Sequence, residues 1–319
     1  MSAATVAVLV ESRDGSVTQP TFEALTLARA LGTPVAVWLG DAPDGAQVER
    51  LSVYGAAEVR VVPCGDDARL AAGGAAALGA ATADASAIVM ISTFVNKEIA
   101  TRLALATGAG VVVDAAGAEL VDGRIETLQT VFAATWNVRS RIETDAGIVA
   151  IRPNTTQASP AQTPGAAVVV DVAFEPLASR ETVVAVEPVP AQEGIPLAEA
   201  PVVVSGGRGT GGDYTLVREL AEVLGAAVGA SRDATDEGWI SHEHMVGQTG
   251  TTVTPALYVA CGISGAVHHR GGMQASGTIV AVNIDPDAPI FEISDFGVVG
   301  DLGDVIPQVI ARIKERRDV

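Results

Sequence analysis

A glycine-rich turn near residue 207 is the first stretch whose residue types could do chemistry. Residues 202–212 read VVVSGGRGTGG, an apolar strand followed by the spacing G-x-G-x-x-G at Gly207, Gly209 and Gly212. In a Rossmann unit this spacing lets the backbone approach the phosphates of a dinucleotide. NAD also needs an acidic residue where the second strand ends, about 20 residues later. That strand ends here in Ser231-Arg232, which disfavours NAD but leaves NADP open, since arginine can accept a 2′-phosphate.

Four histidines follow this turn, so a metal site has to be weighed. They are His242, His244, His268 and His269. Their spacing lacks the H-E-x-x-H pattern of helical zinc sites, so the sequence predicts no metal. The first two are interpreted as ordinary loop residues. The second pair begins a short predicted helix between two strand-like runs, and the glycine pair 271–272 would let a flat or phosphorylated ligand approach.

Six blocks in residues 200 to 312 resemble, in order, the α subunit of electron transfer flavoproteins. They are GGRG at 206–209, GASR at 229–232, VGQTG at 246–250, LYVACGISGA at 257–266, IVAVNIDPDAPIF at 279–291 and DFGVVGDL at 295–302. Six ordered blocks are more specific than any single glycine motif. The resemblance implies that this half of the chain binds FAD.

The resemblance assigns three residues to the flavin ring. Arg232 matches an arginine that lies against the isoalloxazine, where a fixed cation favours the reduced, negatively charged ring. His269 matches a histidine that donates a hydrogen bond to the flavin C2 carbonyl. Thr249, together with Gln248, matches the loop that reaches the N5 and O4 edge. The family therefore predicts that the protein tunes the ring through charge and hydrogen bonds.

The rest of the predicted FAD site also follows from the resemblance. Arg208 would face the pyrophosphate, although a loop arginine in its position could equally be solvated. Asn283 and Asp301 would serve the adenosine half, although a strand-end turn and a helix cap explain them equally well. The remaining predicted cofactor-binding residues are Ser231, Val246, Gly247, Gln248, Ser264, Gly265, Ala266, Val267, His268 and Leu302, of which residues 264–266 would line the diphosphate.

Departures from the family pattern surround the flavin edge. The family commonly has Gln where this chain has His268, and Lys where it has Thr251. The segment WISHEH at 239–244 also differs. One hypothesis is that His268 adds a second titrating group near the ring.

The composition limits the class of protein. The chain has 319 residues, of which 48% are hydrophobic and only 4% aromatic, a balance typical of parallel α/β sheets under small-residue helices. A net charge of −18 argues against nucleic-acid binding. Cys64 and Cys261 give no disulfide framework. With no signal-peptide pattern at the N-terminus and no apolar run of membrane-spanning length, we expect a soluble, cytoplasmic protein without membrane insertion.

The order of elements predicts an α/β fold in two domains. Residues 1–187 alternate strands and Ala-rich helices and predict a nucleotide-binding-like α/β domain with a mixed sheet, because strands after Val113 follow each other without helices. Residues 188–200 are proline-rich and predict a linker. Residues 201–319 predict a Rossmann-like (flavodoxin/DHS-like) parallel α/β domain for FAD. Its last helix should begin near Asp304, because Pro307 fits a first helical turn.

The resemblance also implies a function. The chain would be the large subunit of a heterodimeric electron carrier, rather than an enzyme with its own substrate. Flavin dehydrogenases, such as the acyl-CoA dehydrogenases of fatty acid β-oxidation, would donate electrons, and an electron transfer flavoprotein–quinone oxidoreductase would accept them. The β subunit would hold AMP or a second FAD and dock on residues 1–187.

Three alternatives stay open at this point. They are an electron-bifurcating version that uses NADH, an NADP-dependent oxidoreductase, and a non-catalytic adenine-nucleotide sensor on the same sheet.

Overall fold

The computed structural model describes residues 4–13, 15–132, 135–176, 181–186 and 195–317. The described parts of Met1–Thr130 and Asn137–Val189 form one compact unit, and those of Val131–Trp136 and Pro190–Val319 form a second. Most of the predicted linker at 188–200 lies outside the described residues. At its end, Leu197 and Ala200 are buried in the core of the second unit.

The strands of the first unit range from short, buried apolar runs such as Ala87–Ile91, typical of a parallel sheet covered on both faces, to the long and partly exposed Gly110–Val121. They are β1 (Thr5–Leu9), β2 (Ser12–Arg13), β3 (Ser16–Val17), β4 (Thr33–Leu39), β5 (Glu58–Val62), β6 (Ala87–Ile91), β7 (Gly110–Val121), β8 (Arg124–Val131), β9 (Trp136–Arg141), β10 (Gly147–Ile151) and β11 (Val168–Asp171).

Within the described residues, nine of these strands form one sheet in the order β11-β5-β4-β1-β6-β10-β7-β8-β9. Pairs from β11 to β7 are parallel, and β7 pairs with β8 in antiparallel register. Asp122 and Gly123, both with positive φ, make the tight turn between those two strands. The predicted mixed sheet is therefore confirmed. The antiparallel part is the β7–β8 hairpin, whereas β10 and β11 pair in parallel.

In the part of the chain that the structure describes, four α-helices accompany this sheet and bury two apolar clusters. They are α1 (Gln19–Leu31), α2 (Gly45–Val53), α3 (Ala71–Ala81) and α4 (Phe94–Thr107). Alternate residues of β1 belong to opposite clusters, Val6 and Val8 with α1, and Ala7 and Leu9 with α3 and α4. The core thus lies on both faces of the sheet.

The second unit repeats the α/β plan with a smaller sheet. Its strands are β12 (Val202–Gly206), β13 (Ala227–Ala230), β14 (Leu257–Cys261), β15 (Thr278–Asn283) and β16 (Phe296–Val299). Its helices are α5 (Thr215–Leu224), α6 (Arg232–Asp236), α7 (Val267–Met273) and α8 (Leu302–Arg317).

All described strand pairs of this second sheet are parallel, in the order β13-β12-β14-β15-β16. This is the flavodoxin-like order 2-1-3-4-5, so the predicted parallel α/β fold is confirmed. The chain leaves β12 towards one side of the sheet and reaches β14 on the other. That reversal opens a crevice at the carboxyl ends of the two strands, where ligands of such sheets bind.

The last helix differs from its prediction. It begins at Leu302 rather than near Asp304, and Pro307 lies inside it. The Asp301 carboxylate accepts a hydrogen bond from the Gly303 N–H at 2.7 Å, which caps the first turn. The cap fixes the start of the helix, and the proline costs one interior hydrogen bond.

Candidate functional site

A cleft in the second unit lies at the carboxyl ends of β12, β13 and β14. Its volume is about 610 Å³, within the usual range for a small-molecule site. Its lining residues are Arg208, Gly209, Ser231, Arg232, Asp233, Asp236, Gly262, Ile263, Ser264, Ala266, His268, His269 and Asn283. The structure thus brings together eight predicted site residues: Arg208, Ser231, Arg232, Ser264, Ala266, His268, His269 and Asn283.

Glycines let two backbone turns meet at the floor of this cleft. A Cβ added to Gly209 would lie 2.7 Å from the Gly262 Cα, and one added to Gly207 would lie 2.5 Å from the Gly262 carbonyl oxygen. The Gly209 N–H donates to that same carbonyl at 2.9 Å. Side chains at either position would force the turn after β12 away from the end of β14. The glycine spacing is therefore a packing requirement that shapes the cleft.

Two exposed ion pairs stand at the rim. Arg208 Nε lies 3.0 Å from Asp233 Oδ2, and Arg232 Nε lies 3.1 Å from Asp236 Oδ2. Both arginines are more than half exposed, so a ligand anion can compete with the carboxylates for them. The Ser231 hydroxyl caps α6 by accepting from the Ala234 N–H at 3.5 Å, which orients the first turn that carries Arg232.

His269 is buried at the base of the cleft. It is 6% exposed, and its Nε2 lies 3.0 Å from the Tyr258 hydroxyl. Nδ1 is buried and forms no hydrogen bond of ordinary geometry among the described residues. Burial lowers the pKa of His269 to about 4, although the Val246 backbone and the Asp233 charge act in the opposite direction. The imidazole is therefore neutral at physiological pH.

The loop that carries Gly247 and Gln248 contacts α7 at the outer edge of the site. The Gln248 N–H donates to the His268 carbonyl at 2.9 Å, and His268 Nδ1 lies 3.0 Å from Gln248 Oε1. A Cβ on Gly272 would lie 2.4 Å from the Gly247 Cα, so loop and helix are in backbone contact. Gln248 and Gly247 thus support the cleft through His268 rather than by lining it.

Asn283 ties the ends of two strands together. Its Nδ2 donates to the Ile263 carbonyl at 2.9 Å, and its Oδ1 accepts from the Asp285 N–H at 3.0 Å. Beside it, Gly265 adopts a φ of 83°, and its missing Cβ would meet the Ile290 backbone N at 2.4 Å. These contacts fix the backbone of residues 263–266 along one side of the cleft.

Eight predicted site residues do not line the cleft: Val246, Gly247, Gln248, Thr249, Gly265, Val267, Asp301 and Leu302. Val246 is buried in the core, and Leu302, the first residue of α8, packs against the core. Thr249 and Val267 face solvent. Asp301 caps α8, which is the structural alternative given for it above. Gly247, Gln248 and Gly265 contact neighbouring backbone or side chains around the cleft without lining it.

Four neighbours of these groups are not among the predicted site residues: Tyr258, Asp233, Asp236 and Ile263. Asp233 and Asp236 follow Arg232 on one helical turn, so their spacing was a usable signal. The contact of Tyr258 with His269 joins β14 to α7 and had no local signal. Cys261, also on β14, points into the apolar cluster on the α5 side, and burial raises its pKa to about 12.

Taken together, the donors of the cleft fit an anionic, ring-bearing cofactor. Exposed guanidinium groups and backbone turns suit phosphates. The buried imidazole has an unused nitrogen, and the glycine floor admits a planar group. In the described parts of the chain, no group of three or more His, Cys, Asp or Glu residues could hold a metal ion. Among the described helices, none is both long and apolar enough to cross a membrane.

Comparison with protein families gives two matches that together span most of the chain. Residues 6–177 match the model of the electron transfer flavoprotein domain. Residues 196–274 match the model of the electron transfer flavoprotein FAD-binding domain, and they contain most of the cleft.

Three relatives that match nearly the whole chain are each named electron transfer flavoprotein subunit alpha. The protein of Mycobacterium leprae is 41% identical and covers 97% of this chain and 98% of its own length. That of Syntrophomonas wolfei is 38% identical, with 97% and 98% covered. That of Bacillus subtilis is 36% identical, with 97% of each chain covered.

Proposed function

This chain belongs to the electron transfer flavoprotein α-subunit family, and from that premise we propose that it is the FAD-carrying subunit of a two-subunit electron carrier. The observation that carries the proposal is the cleft after β12, β13 and β14. It joins two rim arginines, a glycine floor and a buried neutral imidazole within and just beyond the segment that matches the FAD-binding model.

Each group has a proposed task. Arg208 and the turn that carries it would hold the diphosphate, because guanidinium and free N–H groups are the usual phosphate donors. Arg232 would lie against the ring, and Asn283 would fix the side of the cleft that receives the rest of the cofactor. His269 would donate a hydrogen bond to a ring carbonyl. Bound FAD would supply reversible one- and two-electron chemistry.

Electrostatics support the assignment of Arg232. A cation beside a reduced ring stabilises negative charge there, and this stabilisation grows as the cofactor displaces water from the cleft. Asp236 would release Arg232 at little cost, because an exposed ion pair contributes less than about 1 kcal/mol. The arginine is thus held near the cleft without being locked away from it.

The partners in the proposal follow from the family. Membership in an α-subunit family implies a β subunit, which we propose docks on the first unit and holds AMP or a second FAD. Flavin dehydrogenases, including acyl-CoA dehydrogenases of fatty acid β-oxidation, would donate electrons, and a quinone oxidoreductase would accept them. We place this exchange in the cytoplasm, where Cys64 and Cys261, both buried and free, would stay reduced.

Co-expression of the chain with its β subunit tests the proposal. We expect a yellow complex with one FAD retained by this chain through gel filtration, and an Arg232→Gln complex with a lower flavin midpoint potential. A colourless complex would contradict the proposal and favour the nucleotide sensor. Hydride transfer from NADPH by the isolated chain would favour the NADP-dependent oxidoreductase, and FAD reduction by NADH with split electron delivery would indicate the bifurcating version.

A further inference from the structure

One carboxylate of the cleft, that of Asp233, has no task in the proposed function. Its Oδ2 lies 3.0 Å from Nε of Arg208, the arginine proposed to hold the diphosphate. Both side chains line the cleft. A carboxylate and a phosphate present the same kind of charged oxygen to a guanidinium group. Asp233 therefore takes the place at Arg208 that a ligand phosphate would need.

The backbone brings these two side chains together from neighbouring strands. Arg208 begins the turn after β12, and Asp233 lies in the first turn of α6, after β13. The two strands pair in parallel, and the Ser231 N–H donates to the Gly206 carbonyl at 2.9 Å where they end. The two turns thus start side by side, within the reach of one ion pair.

The pair is open to solvent, so another anion can replace the carboxylate. The Arg208 side chain is 69% exposed, and that of Asp233 is 55% exposed. Water screens an ion pair at this exposure and keeps it weak. A ligand phosphate can therefore displace Asp233 from Arg208, but it gains less by doing so than it would from an unpaired arginine.

The charge of Asp233 also acts at the base of the cleft. Burial lowers the pKa of His269, and the Asp233 charge opposes that effect. The carboxylate thus acts on one group at the rim, Arg208, and on one at the base, His269. Its field extends across the space that a ligand would fill.

Charges in the cleft cancel as a result. Among the described residues that line it, Arg208 faces Asp233, and Arg232 faces Asp236. The empty cleft does not attract anions in general, because each guanidinium charge already has a carboxylate beside it. A phosphate without further groups gains little there, whereas a larger ligand gains further contacts on the glycine floor and the cleft wall.

We propose that Asp233 is a specificity-determining residue that competes with the diphosphate of the ligand for Arg208, so that the cleft retains a cofactor only when its other parts also bind. This inference rests on the proposed FAD site. The competition concerns any diphosphate, so inorganic pyrophosphate tests it as well as FAD does.

The experiment compares Asp233→Asn with the unsubstituted chain, each in the complex with the β subunit after FAD has been removed by dialysis. Flavin fluorescence titration gives the Kd of FAD, and isothermal titration calorimetry gives the Kd of pyrophosphate. We expect both Kd values to fall roughly fivefold in Asp233→Asn, which corresponds to an exposed ion pair at the upper end of its usual range. The difference between the two chains should shrink at high salt, because screening weakens exposed charges.

Arg208→Gln distinguishes competition from simple repulsion. Without the guanidinium group, Asp233 has nothing to compete for. Adding Asp233→Asn to Arg208→Gln should therefore lower each Kd by less than about twofold. A gain of the same size in both backgrounds would mean that the carboxylate only repels phosphate, and would overturn the proposal.

Asp236→Asn is the matched control. It removes the same charge from the same helix and the same cleft, but its partner is Arg232, 3.1 Å away. We expect the Kd of pyrophosphate to be nearly unchanged in this variant. A gain as large as that of Asp233→Asn would mean that the total charge of the cleft, not the pair with Arg208, sets the affinity, and would also overturn the proposal.

A second substitution, Asp233→Ala, guards against an effect peculiar to asparagine, because alanine suits a helix. Unchanged Kd values in both variants would refute the competition and leave the proposed function intact. A complex that binds no FAD, yet binds pyrophosphate more tightly in Asp233→Asn, would support the competition and refute the proposed function. Binding of neither ligand by any of the complexes would overturn both.

Discussion

At the carboxyl edge of the first sheet the polar side chains bond to one another, whereas at the same edge of the second sheet they surround a cleft. After β1, the Glu11 carboxylate accepts from Asn96 Nδ2 at 2.7 Å. On β7, Asp114 accepts from Ser92 and Lys97, each at 2.8 Å. After β12, the chain instead turns through glycines and leaves two arginines at a rim.

The difference shows that a parallel sheet with a reversal in strand order does not by itself make a ligand site. Both units have the reversal, since β1 lies between β4 and β6 just as β12 lies between β13 and β14. The turn after β12 has glycines that fit against the end of β14. After β1, the corresponding turn carries Glu11, which is engaged by α4. Turn residues, not topology, distinguish the two units.

The largest effect on the difference between the two sheets is expected from adding a side chain at the glycine floor of the cleft, where Gly207 and Gly209 contact Gly262. In Gly209→Ala, the new Cβ meets backbone 2.7 Å away, which no side-chain rotation relieves. We expect FAD retention by the assembled complex to fall roughly a hundredfold, corresponding to about 3 kcal/mol. Flavin fluorescence during dialysis measures it. Gly45→Ala in the first unit, where no atom lies within 4 Å of the added Cβ, should leave retention unchanged.

Low pH should destabilise the second unit, because its buried histidine, His269, is neutral in the folded state. The pKa of His269 is lowered in the folded state, so its stability contribution is complete above its unfolded pKa near 6.5 and declines as pH falls towards 4. Between pH 8 and pH 5 this costs about 2 kcal/mol of unfolding free energy.

Urea unfolding of the full chain at both pH values measures this cost. The His269→Gln variant should show a shallower decline by that amount, and the exposed His242→Gln variant should not. Equal slopes for all three chains would mean that His269 does not carry the effect.

Removing the charge of Arg232 tests whether a rim arginine of the second unit acts on the bound cofactor. With Arg232→Gln we expect the FAD midpoint potential to fall by the equivalent of about 1 kcal/mol, less at high salt because the site is open. Spectroelectrochemistry at two salt concentrations measures it. Arg312 on α8, paired with Glu315 at 2.6 Å much as Arg232 is paired with Asp236, provides the control Arg312→Gln. A FAD midpoint potential that is unchanged in Arg232→Gln but falls in Arg312→Gln would contradict a local effect of the Arg232 charge.

The smallest effect is expected in the first unit. Lys97→Met breaks the half-exposed pair with Asp114 and should cost less than about 1 kcal/mol of unfolding free energy. FAD retention should not change, because this edge is not the proposed site. A loss of FAD comparable to that of Gly209→Ala would show that the two edges are coupled.

Much of the fold followed from local patterns in the sequence. Short apolar runs predict the buried strands, and Asp122-Gly123, an Asp-Gly pair between strand residues, is a local signal for the hairpin turn. The start of α8 differs from its prediction because Pro307 favours a start near Asp304, whereas the Asp301 carboxylate caps the helix two residues earlier, at Leu302. The strand Phe296–Val299 was not foreseen, because its residues are exposed and its partner β15 supplies the pairing.

The site was predictable only where chemistry is carried by single residues. Arg208, Arg232 and His269 were named from the motif blocks, and the structure collects them in one cleft. Their partners Asp233 and Tyr258 were not named, because a carboxylate or a phenol acquires its role from what the fold sets beside it. Thr249 and Val267 face solvent in the free chain, and their predicted contact with the cofactor stays a prediction.

The burial of Cys261 has a consequence for side reactions. This thiol immediately precedes a residue of the cleft wall, yet it points into the opposite apolar layer, and its pKa of about 12 leaves almost no thiolate at neutral pH. Thiolates, not thiols, attack electrophilic rings and alkylating agents. An oxidised flavin could therefore lie close to this sulfur without forming a covalent adduct, and the chain should resist iodoacetamide until it unfolds.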